Sequence, residues 1–257
     1  MDFRSLHPWD LNYREAVGWQ QRLRRLLQTE GPLDFSRLRL IAGADVAYEV
    51  RRTFRAATGD RTARFVAGVV VMRWPSLEIV EELAVAAETG FPYIPGLLSF
   101  REGPALELAF EGLRLRPDVV IFDGQGVAHP RGLGLAAHVG ILLDCPTVGC
   151  AKSRLYGETC GILGMHRGSR RALVAPPQPR RHKTGLPMAP VFRCGERIGT
   201  VLRTRDGVKP VFVSCGHRID LRSAERLVLL TARRWRLPEP IRAAHRVVNS
   251  ALRQDAL

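Results

Sequence analysis

Apolar residues follow two rhythms along this chain. Over residues 10–28, Val17, Trp19, Leu23, Leu26 and Leu27 recur at helical spacing among many arginines, which predicts an amphipathic helix. Residues 38–48 and 64–73 are dense in apolar side chains and read as strands, with 77–86 as a third. The turn Trp74-Pro75-Ser76 joins the last two into an antiparallel meander. Residues 97–115 return to helical spacing, with Gly103-Pro104 expected to disturb the early part. Residues 118–123 form a short apolar run without alternation, the mark of a strand buried on both faces with helices outside. A helix over 134–143 and a short strand over 147–151 follow. Meander, helix, strand, helix, strand predicts an α/β protein on one mixed sheet.

The pattern fades over residues 157–190, where Arg170-Arg171, Pro176-Pro177 and Pro179-Arg180-Arg181-His182-Lys183 fall. That stretch reads as a basic, proline-rich surface excursion within a single domain. Strands over 197–204 and 210–214 then flank Arg205-Asp206-Gly207 as a hairpin. Helices over 220–235 and 241–253 finish the chain, and no internal repeat is present.

Composition narrows the choice of partner. The 257 residues hold 39 Lys and Arg against 25 Asp and Glu, a net charge of +14. Such an excess fits nucleic acid or another anionic surface. No signal-peptide pattern opens the chain and no apolar run has membrane-spanning length, so a cytoplasmic protein with no membrane partner is expected. Five cysteines (Cys145, Cys150, Cys160, Cys194, Cys215) show no C-x-x-C spacing and read as reduced thiols. The lack of a heptad seam favours a monomer.

Three acids stand where acids are costly. Asp45 lies inside Leu40-Ile41-Ala42-Gly43-Ala44-Asp45-Val46-Ala47, Asp123 ends Val119-Val120-Ile121-Phe122-Asp123, and Glu102 closes a segment that begins at Pro92. A carboxylate in apolar surroundings needs a compensating charge or metal. Each acid taken singly is explained by an ion pair with a basic residue. Taken together, the three suit Mg²⁺ or Mn²⁺, which prefer hard oxygen ligands. Two such ions roughly 4 Å apart can hydrolyse a phosphodiester. His217, at a strand end, reads as a proton carrier or metal-side ligand, or as a turn histidine.

Pro92-Tyr93-Ile94-Pro95-Gly96 is stiffened at both ends by proline. Its apolar pair either enters a base stack as a wedge or covers a core edge. Chemistry on a base requires that base outside the helix. Lys152, at a strand exit, can hold a phosphate as a point charge. Gly124-Gln125-Gly126 lets backbone approach a ligand closely, yet no nucleotide-binding fingerprint is present.

Together these segments resemble the endonuclease V family, the deoxyinosine 3′ endonucleases. The matching stretches are Ala42-Gly43-Ala44-Asp45-Val46-Ala47-Tyr48, the run from Pro92 to Glu102, the block from Phe122 to Arg131 with its continuation to Ser153, and the stretch from Gly207 to Arg218. The resemblance implies a ribonuclease H-like fold, a mixed sheet flanked by helices. It implies Mg²⁺-dependent hydrolysis of the second phosphodiester 3′ to a hypoxanthine, with the base left in place. Asp45 and Asp123 would be the principal metal ligands, Glu102 would complete the cluster, and His217 would assist beside the metal. Tyr93 would belong to a strand-separating wedge held by Pro92, Ile94 and Pro95, with Gly96 closing the loop. Lys152 would face the scissile region, and His129 and His138 would line the lesion pocket. Backbone donors near Gly124 to Gly126 are expected to read the base. DNA containing deoxyinosine is the expected substrate. An inosine-specific ribonuclease is the alternative, and an inactive nucleic-acid-binding module is the alternative of another class. The stretch 161–190 is longer and more basic than the family's usual short polar segment.

Overall fold

A computed structural model describes residues 1–48, 63–177 and 191–254. Its centre is the expected mixed sheet. β1 (Leu40–Tyr48), β2 (Ala63–Arg73) and β3 (Glu78–Thr89) form the antiparallel meander. β4 (Val119–Phe122) and β5 (Thr147–Ala151) continue it parallel to β1. Three antiparallel strands complete the far side: β6 (Arg170–Val174), β7 (Arg197–Leu202) and β8 (Val211–Cys215). The order across the sheet is β3-β2-β1-β4-β5-β8-β7-β6. This is the ribonuclease H-like arrangement, with helices on both faces.

Alternation along the strands divides the core. Ala42, Ala44, Val120 and Phe122 face α2 (Leu98–Glu111) and α3 (Leu135–Leu143), meeting Leu106, Phe110, Val139 and Leu142. Ile41, Val119 and Ile121 face α4 (Leu221–Thr231) and α5 (Glu239–Gln254), meeting Leu227, Val228, Ile241 and Ala244. The same period puts Asp45 on the α5 side of β1. Two glycines let α5 lie close there. A Cβ at Gly43 would run into the Pro240 carbonyl group, and one at Gly68 into the Val248 side chain. α1 (Tyr13–Arg24) begins at a capping box, Asn12 and Glu15, later than residue 10, and packs Leu23 on Leu133 and Ile141. α2 runs through Pro104 without stopping.

The predicted excursion hides a strand. β6 pairs antiparallel with β7 at the edge of the sheet. Only Leu173 of its five residues is fully buried, and Arg170 and Arg171 are exposed. A short, charged edge strand protects an open sheet margin, and it carries almost no hydrophobic signal. Residues 178–190 of the predicted excursion lie outside the described residues. Among the described residues all five cysteines are free thiols, and no helix is long and apolar enough to cross a membrane.

Candidate active site

Parallel pairing brings two of the acids together. Ala44 of β1 stands opposite Phe122 of β4, so the next residue on each strand, Asp45 and Asp123, emerges at the same end of the sheet. The Asp123 N–H donates to the Ala44 carbonyl at 3.1 Å. Both side chains are only 11% exposed. Glu102 arrives from the early turns of α2. Burial, then the charges of Asp45 and Asp123, pushes its carboxyl up to about 8. Burial and the Asp123 charge likewise raise the Asp45 carboxyl above its ordinary value. The three acids therefore share one electrostatic environment.

Two positive or proton-bearing groups answer them. Lys152, the residue after β5, places Nζ 2.5 Å from Asp123 Oδ2. His245 of α5 places Nδ1 2.7 Å from Asp45 Oδ2. No three His, Cys, Asp or Glu side chains among the described residues are grouped to enclose an ion. The donor set nevertheless fits a hard divalent cation. All three are carboxylates, and burial together with the Asp123 charge raises two of them, a cost that such a cation would relieve.

A cavity of about 370 Å³ opens beside Asp123 and Lys152. Its wall includes Ile94, Gly96, Ser99, Gly124, His129 and Leu133. The Pro92–Gly96 loop forms one rim, and its two apolar side chains part ways. Tyr93 is 68% exposed, with the Arg101 guanidinium 5.9 Å from its ring centre. Ile94 turns inward onto the cluster of Phe91, Leu97 and Phe100. Gly96 has φ +81°, the left-handed region that favours glycine, and its carbonyl accepts from Gln20 Nε2 at 2.9 Å and from Arg131 Nη2. The loop is thus pinned from beneath while its aromatic tip stays free. His129 accepts the Arg131 N–H at 3.1 Å through Nδ1, and burial pushes its ring down to about 3, so it stands neutral in the wall.

Residues 21–246 match the family model described as Endonuclease V. The chain belongs to the endonuclease V family. It is 41% identical over 246 residues to an endonuclease V of Gloeobacter violaceus, covering 95% of this chain and 88% of that protein. It is 43% identical over 247 residues to one of Myxococcus xanthus, covering 96% and 92%. The Bacillus subtilis endonuclease V structure superposes with a TM-score of 0.84 at 26% identity and full coverage of both chains. An endonuclease V of Ciona intestinalis, solved with a 24mer DNA containing an inosine followed by a ribo-adenosine, gives 0.69 at 26% identity, covering 94% and 98%.

For this endonuclease V chain, the structure moves several expected site residues. His217 does not reach the carboxylates. β5 and β8 are antiparallel, so the residues after β8 return to the beginning of β5, whereas Lys152 follows its end. The His217 ring instead lies 3.6 Å from Asp144 and accepts the Gln28 N–H at 3.3 Å. His245, absent from the sequence reading, takes the place beside Asp45. A histidine next to Ala243-Ala244, on the helix that crosses Gly43 and Gly68, was the available signal. His138 does not line the cavity; it is fully buried and sits behind Ser99, 2.8 Å from the Ser99 hydroxyl.

Gly124 lines the cavity, but Gly126 does not. A Cβ at Gly126 would strike the Cys215 carbonyl oxygen, because the loop after β4 lies directly on β8. A bulky residue at 126 would therefore meet backbone before it met a base in the cavity. Gly126→Val is expected to destabilise the fold by about 2 kcal/mol or more, as overpacking against backbone does. Thermal unfolding measures this. A variant with unchanged melting temperature would show that the loop yields freely.

Proposed function

We propose that this protein is a divalent-metal-dependent repair endonuclease. It lodges the hypoxanthine of a deoxyinosine in the cavity beside Asp123 and hydrolyses the second phosphodiester bond on the 3′ side. One observation carries the reading. Asp123 lines a cavity whose rim is a pinned loop with an exposed aromatic tip, and its charge helps to raise the carboxyls of Asp45 and Glu102 beside it. The +14 net charge supports a polyanionic partner.

Asp45, Asp123 and Glu102 would hold Mg²⁺, with Mn²⁺ as the alternative. Such an ion lowers the pKa of a bound water and steadies developing phosphate charge. The chain's own residues do the rest. Lys152 shields Asp123 and, once the acid turns to a cation, presents its ammonium to a backbone phosphate. His245 holds one Asp45 oxygen and so orients the other. Tyr93 stands free to unstack the duplex as the base leaves it. α2 opens on the cavity with Leu97 at its N-cap and no side-chain cap. Its first-turn N–H groups thus have no side-chain partner, and the positive end of the helix faces a carbonyl-bearing base.

A labelled duplex with one deoxyinosine, incubated with and without Mg²⁺, tests the reading. The expected product ends one nucleotide beyond the lesion, appears only with metal, and is absent from the adenosine control. Metal-independent cutting, or equal cutting of the control, would reject it. A matched inosine-containing RNA cut faster than the DNA would transfer the activity to the ribonuclease alternative. Affinity with no product would leave only the binding module.

A further inference from the structure

A line of hydrogen bonds runs from the N-terminal segment to the cavity wall, and its first member fixes the direction of every bond. The Pro8 carbonyl can only accept, so His7 Nδ1, 2.8 Å away, is the donor. In a neutral ring His7 Nε2 is then bare. His138 Nε2 lies 2.7 Å from it and must carry the proton. That leaves His138 Nδ1 bare, so Ser99 Oγ, at 2.8 Å, must donate to it. The rings are 6% and 0% exposed, packed among Trp9, Trp19 and Phe100, and burial holds both below the ordinary imidazole value. Neutral rings are what the chain of donors requires.

A polar pair so deep in an aromatic cluster is costly unless every group is satisfied. Every nitrogen of the two rings is used, and the line ends at a serine on the cavity wall. The histidine that does line that wall is spent elsewhere. His129 accepts from the Arg131 N–H, and its second nitrogen is directed to the Gly96 carbonyl.

We propose that Ser99 is a specificity-determining residue. Its hydroxyl proton is committed to His138, so it meets a base in the cavity only as an acceptor, and it takes the N1–H of hypoxanthine. Adenine carries a lone pair at N1, and acceptor would face acceptor. The device separates hypoxanthine from adenine, the base it arises from. It does not separate hypoxanthine from guanine, which also bears N1–H. The inference rests on the proposed lodging of hypoxanthine in this cavity, and it adds a named side chain and a bond direction.

The test uses the full chain and duplexes carrying deoxyinosine, adenosine or purine deoxyriboside, the last lacking both O6 and N1–H. Affinities are measured in Ca²⁺ for the wild type and for Ser99→Ala. The wild type is expected to prefer deoxyinosine over purine deoxyriboside. In Ser99→Ala that preference should fall about tenfold, the worth of one hydrogen bond in a desolvated site, with the purine duplex bound as before. Comparing ligands and variants together removes the contribution of O6. Independently, a long-range ¹H–¹⁵N spectrum of the protein without DNA should show His7 protonated at Nδ1 and His138 at Nε2. An unchanged preference in Ser99→Ala, or His138 protonated at Nδ1, overturns this inference alone. A wild type that binds deoxyinosine no better than adenosine overturns the proposed function with it.

Discussion

Asp45→Ala and Asp123→Ala are each expected to slow cleavage of a deoxyinosine duplex by about a thousandfold or more, the scale seen when a group acting as part of a unit is removed. Both acids issue from adjacent parallel strands, one residue beyond the paired Ala44 and Phe122, so neither can be replaced by a neighbour's movement. Deleting either also frees the side chain that it now holds, Lys152 or His245. The net charge rises by one from +14, so attraction to the phosphate backbone is kept. Binding in Ca²⁺ should therefore survive within a few-fold while single-turnover cleavage in Mg²⁺ disappears. A variant that cleaves at the wild-type rate would remove the metal assignment. Loss of binding together with cleavage would point to a damaged fold.

What the sequence discloses here depends on how far apart the interacting residues lie. Asp45 and Asp123 are legible because each acid interrupts or ends an apolar strand, an anomaly visible within eight residues. The Pro92–Gly96 loop is legible because two prolines fix it locally. His245 meets Asp45 across 200 residues. That contact exists only because α5 crosses β1 and β2 over Gly43 and Gly68, and the small residues Ala243-Ala244 beside His245 are its one local sign. His217 was misplaced for a related reason. A histidine after a strand is easily recognised, but which end of the sheet it reaches depends on strand direction, and β8 runs against β5. His138 sits in α3, whose nine residues are all buried, so the helix has no polar face to show which way any side chain points. β6 escaped because an edge strand with two exposed arginines reads as a loop.

Glu102→Gln is expected to strengthen the fold and end the chemistry together. The Glu102 carboxyl is raised from 4.5 to about 8 in the folded protein, chiefly by burial and then by Asp45 and Asp123. The folded state thus holds this proton more tightly than the unfolded chain does. Its contribution to stability is complete below about pH 4.5 and is lost as pH rises through about 8. Above that, the ionised group costs the metal-free fold roughly 3 kcal/mol, allowing for relaxation around it. Glutamine keeps the shape and cannot ionise. Without metal, the variant should match the wild type near pH 5 and melt several degrees higher near pH 8. If the native state alone holds Mg²⁺, as proposed, the ion should raise the wild-type melting temperature at pH 8, with little effect on the variant. Cleavage should fall with that lost response. A variant less stable than wild type at pH 8 without metal would show that Glu102 is a satisfied structural acid. The expected pattern would instead show that the protein tolerates a destabilising charge because a cation later uses it, which is how a functional site comes to oppose the fold that carries it.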